Sequence, residues 1–286
     1  MARVLITGTS KGIGYDAALN FARKGHDVAA TMRNPNNSDL AEAAAREKLP
    51  IDIHVMDVQS DESVESAFAE IGDIDALVNN AGILSMNTIE DESVENFSAV
   101  MNTNFMGAVR CCKAAIPRMR ERRNGCIINI SSVAGKIAAS PQAAYASSKH
   151  ALEAFSECLA QEMYAFGVRV YLVEPGIIST PMATTELPLA EANSVYPQGR
   201  RMHALFKFAG QAEAPAALVS DILAALIDNG SDRFRHPIGP DSLIFLGYRT
   251  NTGDERFIST WGNESDQTFL DNVRNDVMMD LSAFLD

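Results

Sequence analysis

A chain of 286 residues with 47% apolar side chains can bury a sizeable core, as one large α/β domain or two small ones. Its formal net charge of −13, from 24 basic and 37 acidic side chains, would repel phosphate backbones and anionic membrane surfaces, which argues against nucleic acid as a partner. No apolar run approaches the ~20 residues that cross a bilayer, and a strand pattern already begins near Arg3, so no membrane span, no leader and a cytoplasmic location are expected.

Short β-branched runs alternate with amphipathic stretches along the chain, the pattern of βαβ units around a parallel sheet. Strands are predicted at Val4–Thr7, Asp27–Met32, Ile51–Met56, Ala76–Asn79, Cys126–Ser131, Arg169–Val173 and Arg235–Pro237. Helices fall between them, among them Ile13–Lys24, stopped by Gly25, and Asp39–Lys48, closed by Pro50. The expected fold is therefore a Rossmann-type, doubly wound α/β sheet of about seven strands. With no repeat and no linker to start a second unit, a single domain over residues 1–286 is expected. Two stretches break the rhythm: Thr180–Gln211, rich in Met, Leu, Phe and Pro, and the tail from Asp241 onward. They read as an insertion and an appendix. Cys111, Cys112, Cys126 and Cys158 show neither CxxC nor paired-ligand spacing and fall in predicted helix or strand, so they are expected to be reduced core thiols, with no metal site.

Directly after the first strand stands Thr7-Gly8-Thr9-Ser10-Lys11-Gly12-Ile13-Gly14, opening into a helix. Glycine lets backbone come close to a pyrophosphate, whose charge the amide groups and the helix dipole stabilise. The spacing is GxxxGxG rather than GxGxxG, and such a turn alone can be merely tight. The second strand ends Ala30-Thr31-Met32-Arg33. An acidic residue at that end would bond a free ribose 2′-hydroxyl and repel a 2′-phosphate. Here Arg33 and Lys11 offer charged donors instead, so NADP(H) is expected to be preferred, with NAD(H) also possible; the alternative is two solvated surface cations.

Ser131-Ser132-Val133-Ala134-Gly135 closes the fifth strand, and Tyr145-Ala146-Ser147-Ser148-Lys149 follows. Tyr and Lys four apart share a helix face. A free phenol, with a pKa near ~10, carries protons poorly at neutral pH, and a neighbouring ammonium would favour its ionised form. Tyr145 is thus a candidate general acid or base. A YxxxK pair by itself is common on helices; the serine and the glycine turn make it specific.

These motifs together resemble the short-chain dehydrogenase/reductase family, in its single-domain branch, from residue 3 to about 182. They stand as Gly8-x-x-x-Gly12-Ile13-Gly14, Asn79-Asn80-Ala81-Gly82, Asn104 in Asn104-Phe105-Met106-Gly107, Ser132, Tyr145-x-x-x-Lys149 and Pro175-Gly176. The resemblance implies an enzyme that moves hydride between a nicotinamide dinucleotide and a carbonyl or alcohol. By it, Ser132 holds the substrate oxygen, Tyr145 exchanges the proton, Lys149 binds the nicotinamide ribose and Asn104 carries a water-linked proton relay. It also implies that Asp57 and Val58 meet the adenine and that Asn80, Ala81 and Gly82 line the adenosine ribose. The segment after Pro175 and Gly176 would hold the carboxamide, through Ile178 and Thr180. Asn79 could instead brace the sheet, and Asp57 could cap a helix over Gln59–Glu70.

Specificity is expected from loops at the carboxyl ends of the strands, namely Ile83–Asn87, Gly135–Gln142 and the insertion. The insertion's Met182, Leu187, Leu189, Tyr196, Met202, Leu205, Phe206 and Phe208 read either as an apolar lid over a hydrophobic substrate or as a helix packed on the core. Arg200, Arg201 and His203, which interrupt them, read as a solvated face. Arg33-Asn34-Pro35, Met56-Asp57-Val58 and the late segment Arg233-Phe234-Arg235 to Gly239-Pro240-Asp241 resemble the steroid- and retinol-type members, which implies a steroid, retinoid, terpenoid or aromatic ketone ahead of a sugar. From Asn251 to Asp286 the tail carries eight acids against Arg256 and Arg274, while Phe269, Val273, Val277, Met278 and Leu281 suggest an amphipathic helix docked on its own subunit or a neighbour. Family members commonly pair through helices placed here near Val94–Pro117 and Ala144–Tyr164, so a homodimer or homotetramer is implied. Two other functions stay open: 3-oxoacyl-thioester reduction, and a non-catalytic dinucleotide-sensing regulator.

Overall fold

The computed structural model describes residues 1–185, 194–263 and 265–285. Seven strands form one all-parallel sheet: β1 (Arg3–Thr7), β2 (Asp27–Met32), β3 (Ile51–Val55), β4 (Ala76–Asn79), β5 (Gly125–Ile130), β6 (Val168–Pro175) and β7 (Arg235–Ile238), in the order β3-β2-β1-β4-β5-β6-β7. All seven predicted strands are present, displaced by at most two residues at an end. β4 and β5 are buried at every residue, because helices cover both faces and leave no polar side to alternate. The edge strand β3 shows the half-exposed alternation instead, and β7 carries Pro237 where a missing amide donor is tolerated at an edge.

On one face, α1 (Gly12–Arg23), α2 (Leu40–Glu47) and α8 (Ala217–Asn229) bury Leu19, Phe21, Leu40, Val219 and Leu223 against Val4, Ile6 and Val28. On the other, α3 (Asp61–Ile71), α5 (Gly107–Arg122) and α6 (Ala143–Tyr164) bury Val64, Ile71, Met119, Leu159 and Met163 against Leu5, Leu77 and Ile127. Between α4 (Val94–Met101) and α5 the helix widens into a π turn, Asn102–Met106, a distortion frequent at functional sites. Asn79 does brace the sheet: its Nδ2 donates to Asn129 Oδ1 (2.8 Å), whose own Nδ2 donates to Ser156 Oγ on α6 (2.8 Å). Cys111, Cys112 and Cys126 are buried free thiols, and burial pushes Cys111 and Cys126 up to about 12. Cys158 departs from expectation: it is free but exposed on α6, on the side turned from the core.

The insertion and the appendix form a third layer over the carboxyl end of the sheet. Here α7 (Gln198–Gly210), α9 (Ser242–Asn251), α10 (Asp254–Gly262) and α11 (Asp266–Val277) enclose Met202, Leu205, Phe245, Trp261, Phe269 and Val273, together with Met86 and Ile137 from the sheet loops. The tail thus docks on its own subunit. Met278 is the exception: it caps α11 in the left-handed region (φ 58°) and is exposed. The reading of Arg200, Arg201 and His203 as one solvated face fails at Arg201. It is fully buried, with Nε 2.9 Å and Nη2 2.8 Å from Asp266 Oδ1, Nη1 donating to Asn263 O (2.6 Å), and its guanidinium 4.8 Å from the Phe269 ring. An Asp at the first turn of α11 supplies the counter-charge that sequence periodicity could not reveal. Leu187 and Leu189, and the tail acids Glu264 and Asp286, lie outside the described residues. Among the described residues no helix is long and apolar enough to cross a membrane.

Candidate active site

The sheet order reverses between β1 and β4, and the crevice expected at such a switch point is present as a cavity of about 490 Å³. Its floor is the glycine turn. Gly8 (φ 72°) and Gly12 (φ 65°) occupy the left-handed region, and a Cβ on Gly8 would stand 2.8 Å from Ala81 Cα. Ser10, Lys11, Gly12 and Ile13 line the cavity, and α1 begins there without a side-chain cap, leaving its first amides for an anion. Gly14 is different: it does not line the cavity, and a Cβ there would meet Gly8 O and Asn80 Nδ2 at 2.4 Å, so it serves close packing of α1 beneath the turn.

Arg33 and Lys11 both reach the same cavity, at the end of β2 and in the turn. Asp57 and Val58 line it as well; the helix cap falls to Ser60, which accepts from Ser63 N (3.1 Å), while Asp57 Oδ1 accepts from Gln59 N (3.0 Å). Asn80, Ala81 and Gly82 continue the wall. The Asn80 amide is committed to structure, with Nδ2 donating to Thr7 O (2.9 Å) and Gly8 O (3.0 Å), and Thr7 Oγ1 accepts from Asn80 N (3.0 Å) and Ala81 N (2.9 Å). Beyond β6, Pro175, Gly176, Ile178 and Thr180 complete this side. These features, an uncapped helix start, glycines held where no Cβ fits and cations at the ribose end, fit a nicotinamide dinucleotide.

The chemical groups converge opposite the turn. Ser132 is buried at the end of β5, where its Oγ accepts from Ala134 N (3.1 Å) and donates to Pro175 O (3.4 Å). Burial raises the Tyr145 phenol above its usual 10.0 and outweighs the Ser132 hydroxyl, which acts to lower it. Lys149, expected to depress Tyr145, is not among the groups that shift it; Lys149 itself is the group that moves. Its Nζ donates to Ile130 O (2.8 Å) and lies 5.6 Å from the Tyr145 ring centre, and burial brings its pKa down to about 8 against an opposing pull from Glu153. Asn104 lies within the π turn and off the cavity wall: Nδ2 donates to Ile83 O (2.9 Å) and Ser148 Oγ (3.0 Å), and Oδ1 accepts from Ile83 N (2.8 Å).

Three contributors escaped the sequence reading. Asp241 Oδ2 accepts from Ile177 N (2.9 Å), and its Oδ1 stands 2.0 Å from where a Cβ on Gly176 would be, so Asp241 requires that glycine and holds the loop after β6. Phe245 and Trp261, from the tail, join Met202, Leu205 and Phe206 in the outer cavity wall. Only the apolar run of the tail hinted at them. Tyr196, placed in the lid by sequence, is exposed and donates to Glu90.

The family model described as short chain dehydrogenase matches residues 2–188. The chain is 32% identical over 247 residues to "Oxidoreductase BOA17" of Botryotinia fuckeliana (strain B05.10), covering 85% of this chain and 90% of that protein. It is 43% identical over 183 residues to "Retinol dehydrogenase 8" of Homo sapiens, covering 62% of this chain and 59% of that protein. A crystal structure of a short-chain dehydrogenase from Streptomyces avermitilis superposes with a TM-score of 0.77 at 27% identity, over 91% of this chain and 95% of that one. Fold, cavity and likenesses together define an NAD(P)-dependent oxidoreductase that acts on CH–OH groups and their carbonyls. The chain belongs to the short-chain dehydrogenase/reductase family.

Proposed function

We propose that this enzyme interconverts a hydrophobic ketone and its secondary alcohol with NADP(H), through Ser132, Tyr145, Lys149 and Asn104. The observation that carries the reading is the meeting of Ser132, Tyr145 and Lys149 under a cavity whose outer wall is Met202, Leu205, Phe206, Phe245 and Trp261. When bound, the nicotinamide supplies or accepts the hydride. The hydroxyls of Ser132 and Tyr145, both of which line the cavity, hold the substrate oxygen and stabilise the negative charge that grows on it. Tyr145, kept protonated by burial, gives its proton in reduction and takes it back in oxidation. Lys149 keeps a positive charge beside the phenol and binds the nicotinamide ribose. Asn104, whose Oδ1 lies 3.4 Å from the place of a Gly82 Cβ on the cavity wall, starts the water-linked relay that restores the proton. Gly8, Ser10, Gly12 and Ile13 receive the pyrophosphate; Asp57, Val58, Asn80, Ala81 and Gly82 receive the adenosine; Pro175, Gly176, Ile178 and Thr180 receive the carboxamide.

Support for NADP(H) is the pair of cations, Lys11 and Arg33, at the ribose end and the lack of a carboxylate closing β2. Measuring kcat/KM for NADPH and NADH on an aromatic or terpenoid ketone tests both halves of the reading. A preference for NADPH that falls in Arg33→Ala supports it; a preference for NADH refutes it. We further infer a cytoplasmic homo-oligomer paired through α4, α5 and α6, its oligomeric state to be checked by sedimentation, with a monomer as the contrary result.

A further inference from the structure

Two glutamates that the mechanism does not use are buried behind Lys149. Glu153 lies one helical turn beyond Lys149 on α6, and Glu174 is the last residue but one of β6, immediately before Pro175. They are 4% and 1% exposed. Arg235 on β7 reaches both, with Nε 3.0 Å from Glu153 Oε2 and 3.6 Å from Glu174 Oε1. It also spends Nη2 on the exposed Glu157 (2.8 Å). Glu153 Oε1, Glu174 Oε1 and Ser131 Oγ are buried without hydrogen-bond partners. A Cβ on Gly135 would stand 2.6 Å from Ser131 Oγ and 3.2 Å from Glu153 Oε1, so this glycine keeps those two orphaned oxygens facing one space.

The charge count decides the protonation. Arg235 is the cation in contact, three carboxylates meet it, and Lys136 acts on Glu174 only from a distance. Two ionised carboxylates in one buried site repel, whereas one proton between them turns two acceptors into a donor and an acceptor. We infer that Glu153 and Glu174 share one proton and act as a positioning pair, whose charge sets how firmly Lys149 holds its own proton beside Tyr145. This rests on Lys149 and Tyr145 being the chemical centre. Burial, and then Glu153, raise Glu174 to about 7, and Glu153 is the charge that raises Lys149. The pair therefore carries one negative charge in mildly acidic solution and two above neutrality, which strengthens the Lys149 ammonium as the pH climbs.

The test has a part that needs no turnover. Carbon-13 NMR of the wild-type chain labelled at glutamate carboxyls should show one glutamate titrating near pH 7, and Glu174→Gln should remove that step. In kinetics, Glu153→Gln takes away the carboxylate that raises Lys149. The alkaline fall of kcat for ketone reduction should then move down by about one pH unit, the scale expected of one charge acting across a helical turn. A purely structural pair would lower kcat or Tm equally at every pH and leave that limb in place. The inference is overturned if no glutamate titrates above pH 6 in wild type, or if the Glu153→Gln profile superimposes on the wild-type one. The titration stands on the wild-type chain alone should a variant not fold, and it remains decisive if no ketone is reduced.

Discussion

Replacing Arg201 by Met exchanges a buried guanidinium for an apolar side chain of similar length and tests whether the tail is held on the body by charge. The guanidinium is fully buried and bonds Asp266, Asn263 O and, more weakly, Trp261 O (3.4 Å). Removing one partner of a buried pair typically costs about 3–5 kcal/mol. Two features lower the figure here: the Asp266 side chain is 34% exposed, and Arg200 Nη2 also reaches it at 2.6 Å. One raises it, because the carbonyls of Trp261 and Asn263 lose a donor, at about 1–3 kcal/mol each when left buried. A loss of about 3 kcal/mol is the balance. With an unfolding entropy of about 0.6 kcal/mol per kelvin for a chain of this size, Tm should fall by about 5 °C. Calorimetry measures it, and limited proteolysis should show the first added cleavages between α10 and α11. Arg200→Met, at a half-exposed side chain, should change stability by less than about 1 kcal/mol. If Arg201→Met were as stable as wild type, the docking of the tail by this ion pair would be refuted.

Tyr145→Phe keeps the ring and loses the proton; kcat should fall by about 10²–10⁴ while NADPH affinity measured by fluorescence stays within a few-fold, and near-normal turnover would refute its role. Phe206→Ala, on the half-buried outer wall, should raise KM for a bulky apolar ketone about ten-fold, with little change for a small one such as acetone. Lys149→Met should abolish turnover yet raise Tm at pH 7. Burial lowers the folded-state pKa of Lys149 from 10.5 to about 8, so between those values the unfolded chain binds more protons and stability rises with pH. The variant escapes that deficit, on the order of 1–3 kcal/mol less the lost bond to Ile130 O, and its advantage should shrink between pH 8 and pH 10 in thermal melts. A constant difference across that range would refute the shift.

The sheet was legible because parallel strands covered on both faces leave unbroken apolar runs, and Val4–Ile6, Ala76–Val78 and Cys126–Ile128 are of that kind. The cavity floor was legible for a related reason: chemistry that needs backbone close to a ligand needs glycine, and glycine is visible in one dimension. Asn80 shows the limit of reading a motif residue by residue. Its place in the wall was foreseen, but its amide ties Thr7 and Gly8 to β4, so the motif preserves the shape of the turn as well as a contact.

Charges were the harder part, because a sequence does not show how deeply a charged side chain is buried or what it faces. Arg201 stands just before Met202, Leu205, Phe206 and Phe208, which the sequence left as either a lid or a packed helix, and its own charge argued for the surface. What reverses the argument is Asp266, sixty-five residues on. Glu174, directly after the apolar Leu172 and Val173 of β6, and Glu153, one turn past Lys149, pose the same problem with the opposite outcome. Arg201 meets Asp266, which Arg200 also reaches, whereas Arg235 is outnumbered by its carboxylates. A buried ion pair whose carboxylate is met by cations fixes geometry, here the tail that closes the cavity. An outnumbered one retains a proton, and its neighbour across one turn of α6 is the lysine beside the reacting phenol.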